Sequence, residues 1–128
     1  MDAAIQSALG GQPIVASADQ EGSPTYLEDL VRAIERLILE EARGIVHVVN
    51  DGAATAAQIA STIVELVGST SEVIAVPAAE IPGAIPNRSL TEVLRSCRIQ
   101  LRPWHDALKE YAHLQMSRSI GCSAAISE

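Results

Sequence analysis

The stretch Asp19-Gln-Glu-Gly-Ser-Pro-Thr-Tyr-Leu-Glu-Asp-Leu30 decides how the rest of the chain is organised. Gly22 and Pro24 mark a turn, and Pro24 favours extended backbone at the residue before it. Thr25 and Glu28 have the spacing of a capping box, so we expect a helix to follow the turn. That helix carries an apolar stripe of 3.6-residue period, made by Leu27, Leu30, Val31, Ile34, Leu37 and Ile38.

Segments with strand and helix patterns alternate on both sides of this turn. The patterns predict helices at 3–9, 27–42, 55–67, 89–97 and 104–116, and strands at 13–18, 45–49 and 72–76. Gly44 is the expected C′ residue of the second helix, and Gly68 closes the third. Two further capping boxes are predicted, one from Thr55 to Gln58 and one from Ser89 to Glu92.

Alternation of this kind predicts an α/β fold. We expect a small parallel sheet of two or three short strands with helical crossovers, followed by two closing helices. Residues 1–116 are predicted to form a single domain, and residues 117–128 a disordered or frayed tail.

Composition excludes several classes of partner and site. The 128 residues carry a net charge of −7 without a Lys/Arg cluster, so nucleic acid and anionic membrane surfaces are not expected as partners. Cys97 and Cys122 lack metal-ligand spacing and are expected to be reduced thiols. The sequence contains no apolar run of transmembrane length and no secretory leader pattern, so a cytoplasmic location is predicted.

Five segments in order resemble the C-terminal, substrate-side part of dTDP-4-dehydrorhamnose reductases, which are extended short-chain dehydrogenase/reductases. The segments are Asp19 to Tyr26, Gly44 to Gly52, Ile59-Ala60, Val73 to Pro77 and Leu101 to Leu108. The resemblance covers about residues 10 to 115. It implies a domain that binds a nucleotide sugar.

The same resemblance shows what this sequence lacks. A reductase of this family has a Rossmann part that holds the nicotinamide cofactor and a catalytic Tyr-x-x-x-Lys. Here no glycine-rich fingerprint follows a strand, and Tyr26 and Tyr111 are followed four residues later by Leu30 and Gln115. We therefore expect no cofactor in this chain and no reductase activity from it alone.

Substrate contacts implied by the resemblance lie in two loops. Gln20, Ser23, Thr25 and Tyr26 occupy the turn that faces the cleft in the family. The family's proline-rich loop usually carries Arg-Pro, but here it reads Ile85-Pro86, and Arg88 is the nearby cation. We expect that change to weaken the binding of a nucleotide-sugar phosphate, because an arginine side chain can bond two oxygens at once.

No other residues form a convincing catalytic or metal-binding set. His47 is expected to be structural within its strand, and His105 and His113 are expected at the surface. Cys97 is expected to be a core thiol and Trp104 a packing anchor. The carboxylate pairs Asp19/Glu21, Glu28/Asp29 and Glu40/Glu41 have no pattern that predicts burial, so acid–base catalysis by them is not expected.

Three hypotheses follow. The chain is a truncated or split substrate-side part that works beside a Rossmann-bearing partner chain; it is a non-catalytic regulatory or interaction subunit that binds another enzyme; or it is an unrelated small α/β domain. Under either of the first two, apolar surface or a sheet edge is left uncovered, which favours homo-oligomers or aggregation.

Overall fold

The computed structural model describes residues 1–83 and 89–123, with side chains as far as residue 118. Its helices are α1 (Asp2–Leu9), α2 (Leu27–Leu39), α3 (Ala56–Leu66) and α4 (Trp104–Ser123), with a 3₁₀ turn at Ala78–Glu80. Its strands are β1 (Ile14–Ser17), β2 (Glu21–Gly22), β3 (Ala54–Thr55), β4 (Val73–Val76) and β5 (Thr91–Glu92).

The strands form two small sheets. β1 pairs in parallel with β4, with Ile14 opposite Val73 and Ser17 opposite Val76. β2 is the central strand of the second sheet, antiparallel to β3 and parallel to β5. Since β1 and β2 are separated by only three residues, the start of the 19–30 stretch connects the two sheets.

One apolar core lies between the β1–β4 sheet and helices α1, α3 and α4. Ile5 and Ile63 are fully buried, and Trp104 packs into the same cluster from the first residue of α4. The remaining members are small or aliphatic: Ala8, Ile14, Ala16, Ala54, Ala60 and Leu108. A core that contains no Phe is filled by close approach of Ala and Ile between the layers.

The α/β class predicted from sequence is confirmed, as are several individual elements. α1, β1, β4 and the start of α4 after Pro103 lie where they were expected. The Thr55–Gln58 capping box is present, since Thr55 Oγ1 accepts from Gln58 N at 3.2 Å and Gln58 Oε1 accepts from Thr55 N at 2.8 Å. Gly68 lies just past α3 with a φ of +64°, as a closing glycine should.

The N-cap residue and the C-terminal end predicted for α2 are wrong, although the helix starts at the expected residue. The helix begins at Leu27 with Tyr26 as its N-cap residue, and Thr25 Oγ1 donates to Ser23 O instead of capping. At the other end Glu41, not Gly44, takes the left-handed conformation (φ +49°). Glu41 N donates to Ile38 O and Ala42 N to Leu37 O, which closes the helix three residues early by a Schellman motif.

Two other predicted elements are absent from the described residues. Residues 45–49 form no strand, and Ile45 is 91% exposed, so the prediction of a buried strand there is wrong. Residues 89–97 form no helix: Ser89 Oγ accepts from Thr91 N at 3.2 Å, and Thr91–Glu92 become β5. Pairing with β2 outweighed the local capping pattern.

Some side-chain predictions also change. His47 is exposed outside any strand, so its predicted structural role is not supported, and Cys97 is exposed instead of lying in the core. His105 and His113 are exposed and Trp104 is buried, all as predicted. α4 continues to Ser123, past the predicted start of a frayed tail at 117, and residues 124–128 lie outside the described part.

The apolar stripe of α2 is only partly covered. Its members Leu30 and Leu37 are half-buried beside the buried Asp29 and Ala33. Its other four members, Leu27, Val31, Ile34 and Ile38, are 68%, 54%, 45% and 71% exposed. We call these four residues the outer stripe.

Candidate functional site

The turn at 19–26 is fixed along its whole length by contacts with distant segments. Asp19 Oδ1 accepts from Ala78 N at 2.8 Å, and Gln20 Nε2 donates to Ser89 O at 3.1 Å. Ser23 Oγ accepts from Leu94 N at 2.9 Å and donates to Leu94 O at 3.2 Å. The turn is therefore a pre-positioned surface instead of a mobile loop.

Asn50 is the centre of a polar network beneath this turn, and it is 1% exposed. Its Oδ1 accepts from Tyr26 N at 2.8 Å, which satisfies an amide at the start of α2. Its Nδ2 donates to Asp29 Oδ2 at 2.8 Å and to Arg102 O at 3.0 Å. One side chain thus joins the turn, α2 and the segment before α4.

Arg102 completes the network with a two-point ion pair. Its Nε and Nη2 donate to the two carboxylate oxygens of Asp29 at 2.8 Å and 3.0 Å, and its Nη1 donates to Glu110 at 2.6 Å. Burial would raise the pKa of Asp29, but hydrogen bonds from Arg102 and Asn50 outweigh it and hold that pKa below its usual range. The bonds to Asp29 and Glu110 raise the pKa of Arg102.

This charge arrangement positions groups and leaves Asp29 without a proton to donate near pH 7. Asp29 is ionised and both of its oxygens are already bonded, while Arg102 has committed Nε, Nη1 and Nη2 to carboxylates. General acid–base chemistry needs a carboxyl group whose pKa is raised, the opposite of what is found at Asp29.

Tyr26 lies above the network and beside an apolar cavity of about 290 Å³. Its ring meets Tyr111 edge-to-face at a centroid distance of 6.1 Å, and the Arg102 guanidinium carbon lies 5.6 Å from the Tyr26 centroid. Burial, with the nearby Glu28 charge, raises the pKa of the Tyr26 hydroxyl. The cavity is lined mainly by turn and α4 residues: Pro24, Thr25, Leu27, Trp104, Leu108 and Tyr111.

A second cavity, of about 460 Å³, adjoins the network at Asn50. It is lined by residues 49–53, 93–96 and 100–101, which include Asn50 and Leu94, the partners of Tyr26 and Ser23. Arg95 borders this cavity and is exposed, and it gives the cavity a cation.

Gly52 shapes the wall between this region and α4. Its φ is +94°, and a Cβ built on it would lie 2.9 Å from Trp104 Cδ1. Asp51 N donates to Arg102 O and Trp104 N donates to Asp51 O, so the Asn50–Gly52 turn is held against the start of α4. A glycine is required here for both backbone and steric reasons.

The structure brings together four of the five predicted substrate residues, Gln20, Ser23, Thr25 and Tyr26, in one turn. The side chains of Gln20 and Ser23 bond distant segments, and that of Thr25 bonds Ser23 within the turn. Thr25 and Tyr26 line the apolar cavity. Arg88 lies outside the described residues. The sequence analysis did not predict this network. The available signal was the polar Asn50-Asp-Gly52 turn, because a polar turn directly after a β-branched run is a position where a polar side chain is buried.

Two negative findings apply to the described part of the chain. It contains no group of three or more His, Cys, Asp or Glu side chains arranged to hold a metal ion. None of its helices combines the length and apolar character needed to cross a bilayer.

Comparison with known proteins places this geometry in a family. The RmlD substrate binding domain matches residues 3–116. The spore coat polysaccharide biosynthesis protein SpsK of Bacillus subtilis is 30% identical over 115 residues, which are 87% of this chain and 39% of that protein.

Solved structures agree with this match. A dTDP-4-dehydrorhamnose reductase from Bacillus anthracis, crystallised with NADP, has a TM-score of 0.78 and 27% identity over 86% of this chain and 41% of its own. A reductase of the same name from Clostridium acetobutylicum has a TM-score of 0.80 and 27% identity over 90% of this chain and 43% of its own. The chain thus spans about two fifths of the length of each of these relatives, and it belongs to the RmlD substrate binding domain family.

Proposed function

We propose that this chain binds a nucleotide-linked sugar against the 19–26 turn, as the substrate-binding part of a ketosugar reductase. The observation that carries the proposal is the family match over residues 3–116, combined with the fixing of that turn by Asn50. A binding surface held in place before the ligand arrives loses less entropy on binding.

The two cavities suggest which chemical groups would bind in each. The apolar cavity at Tyr26 suits a ring that stacks or packs, such as a base or the less polar face of a sugar. The larger cavity has both polar and apolar walls and carries Arg95 at its border, a cation that suits a diphosphate. Arg102 is less suited to a phosphate than Arg95, because Asp29 and Glu110 already take three of its five N–H donors.

Weak binding is expected from the chain by itself. The net charge of −7 opposes a diphosphate, and only Arg88 and Arg95 are proposed to counter it. We further propose that hydride transfer requires a Rossmann part that holds NAD(P)H, since this sequence has neither the glycine-rich fingerprint nor Tyr-x-x-x-Lys.

Calorimetric titration with dTDP-glucose and UDP-glucose tests the proposal. Arg95→Ala should weaken binding by about tenfold or more, the usual worth of a charge-assisted hydrogen bond. Arg98→Ala is the matched control, because Arg98 is exposed nearby and pairs only loosely with Glu40 at 4.0 Å. NADPH should give no heat of binding. A folded chain that binds neither nucleotide sugar at millimolar concentration would contradict the proposal.

The second candidate function is that of a non-catalytic subunit that binds another enzyme. The exposed outer stripe of α2 favours it, since a contiguous apolar surface commonly marks a protein–protein contact. The titration separates the two functions, because an interaction subunit need not respond to either nucleotide sugar or to Arg95→Ala.

A further inference from the structure

We propose that the hydroxyl groups of Ser23 and Ser96 form a two-point clamp that holds Arg95 in position to bind the diphosphate of a nucleotide sugar. Ser23 and Ser96 are the positioning residues, and Arg95 is the residue that contacts the ligand. This inference rests on the proposed function and adds to it how the cation at the second cavity is fixed before the ligand arrives.

The first point of the clamp joins the 19–26 turn to Leu94. Ser23 Oγ accepts from Leu94 N at 2.9 Å and donates to Leu94 O at 3.2 Å. Both backbone groups of Leu94 thus bond to one side chain, in the way that they would bond to a neighbouring strand. Ser23 directly follows β2, and Leu94 lies two residues beyond β5. The contact therefore continues the parallel β2–β5 pairing past the carboxyl ends of both strands.

The second point of the clamp joins the same loop to Val49. Ser96 Oγ accepts from Val49 N at 2.8 Å and donates to Val49 O at 3.3 Å. Val49 is buried, and the next residue, Asn50, accepts from Tyr26 N. The 19–26 turn, the loop 94–96 and Asn50 are thus connected in one closed path of hydrogen bonds and chain segments.

Arg95 lies between the two clamped residues, and the closed path borders the second cavity, which residues 49–53 and 93–96 help to line. Because hydrogen bonds fix the loop on both sides of Arg95, only its side chain has to be ordered when a ligand binds. A guanidinium held in this way can present two parallel donors to phosphate oxygens.

The charges around the cavity make the position of Arg95 important. Among the described residues that line it, Arg95 is the cation and Asp51 the carboxylate, whose charge opposes a diphosphate. Coulomb energy falls with distance, so Arg95 outweighs Asp51 only if it is held closer to the phosphate. The location also suits a ligand, since α/β sheets bind ligands outside the carboxyl ends of parallel strands.

A double-mutant cycle, measured by calorimetric titration with dTDP-glucose, tests the clamp. Ser96→Ala should weaken binding by about threefold or more, and Arg95→Ala by about tenfold or more. Since Ser96 acts through Arg95, adding Ser96→Ala to Arg95→Ala should weaken binding no further. Independent contributions would instead multiply to about thirtyfold. Ser23→Ala combined with Arg95→Ala gives a second cycle with the same expected result.

Ser69→Ala is the matched control. Ser69 is half-buried like Ser96, and its hydroxyl also bonds two backbone groups, donating to Ala8 O and accepting from Ser71 N. It is not among the residues that line the cavity. Ser69→Ala should therefore lower the melting temperature about as much as Ser96→Ala does, but leave the affinity for dTDP-glucose unchanged.

The salt dependence of binding distinguishes positioning of a charge from a general structural role. The ratio of unsubstituted to Ser96→Ala affinity should fall towards one as salt rises from about 0.05 M to about 0.5 M, because salt screens the Arg95 charge. Ser96→Thr, which keeps the hydroxyl, should restore most of the affinity lost in Ser96→Ala.

Several results would overturn the clamp and leave the proposed function standing. They are multiplying losses in either cycle, an unchanged affinity in Ser96→Ala, a ratio that does not respond to salt, and an equal loss of affinity in Ser69→Ala. An unsubstituted chain that does not bind dTDP-glucose would overturn both the clamp and the binding of that nucleotide sugar.

Discussion

The two sides of this small domain differ in how completely they are packed. On one side α1, β1, α3, β4 and α4 enclose a shared core in which Ile63 is fully buried. On the other side the outer stripe of α2 and Ile45 are apolar but exposed, and Val46 and Val48 are only half-buried. The buried network of Asn50, Asp29 and Arg102 lies between them and attaches α2 to the packed side. Apolar periodicity in a helix therefore does not by itself mean that the whole stripe is buried within the same domain.

Truncating one isoleucine on each side gives the largest expected contrast. Ile63→Ala should reduce the free energy of unfolding by about 3–5 kcal/mol, because it leaves a cavity in the core. Ile38→Ala should change it by no more than about 0.5 kcal/mol in the chain alone. Urea denaturation of both variants is the measurement. Equal losses would show that α2 is covered on its outer side in solution.

The second largest effect is expected from removing the Arg102 charge, which anchors α2 through Asp29. Arg102→Met leaves the buried Asp29 carboxylate without its ion pair and should reduce the free energy of unfolding by about 2–4 kcal/mol. This loss is smaller than for a fully buried pair, because the Arg102 side chain is one-third exposed. Arg32→Met breaks only the exposed pair with Glu28 and should cost less than about 0.5 kcal/mol. A loss for Arg102→Met no larger than for Arg32→Met would mean that the network does not hold α2.

Alanine substitutions at two glycines distinguish the energetic cost of backbone strain from that of a steric clash. Gly52 and Gly44 both have positive φ, but only at Gly52 would a Cβ meet Trp104, at 2.9 Å, while nothing lies within 4 Å at Gly44. Gly44→Ala should cost about 1 kcal/mol from strain, and Gly52→Ala about 2–3 kcal/mol because the Trp104 ring must also shift. Melting curves with tryptophan fluorescence would report both effects. Similar losses would argue against close packing of the Asn50–Gly52 turn on α4.

The smallest effect is a pH dependence at Asp29. Its pKa is lower in the folded chain than the ordinary value of 3.8, so the stabilisation it provides is present at neutral pH and is lost as pH falls through the folded pKa. The stability advantage of the unsubstituted protein over Asp29→Asn should therefore be constant from about pH 7 to 5 and shrink below about pH 4. An advantage that grew on acidification would mean that burial, not Arg102, dominates at this carboxyl.

Three capping-box patterns show how far sequence could predict this structure. Thr55 and Gln58 form the predicted box, because a helix with a buried face follows directly. Thr25 does not cap: its hydroxyl donates to Ser23 O, and Tyr26 N, at the start of α2, donates to Asn50, 24 residues away. Ser89 starts no helix, because Thr91–Glu92 pair with β2. A local pattern predicted the helix start correctly where a residue close in sequence supplies the hydrogen-bond partner. It failed where a distant residue supplies that partner.

The turn that carries the candidate residues was predictable from sequence, but the contacts that hold it were not. The resemblance placed Gln20, Ser23, Thr25 and Tyr26 in one turn, and the structure has them there. The Asp29–Arg102 pair joins residues 73 positions apart, and no periodicity predicts such a contact. The strand predicted at 45–49 failed for a different reason: its composition is that of a strand, but no described strand of this domain lies beside it to pair with.

Amide hydrogen exchange of the chain alone tests the contrast between its two sides most directly. Residues 14–17 and 73–76, which pair as β1 and β4, should be protected, whereas amides 45–48 should exchange at close to the rate of an unfolded chain. Protection of 45–48 equal to that of β1 would contradict the account, since that segment would then already have its partner within this chain.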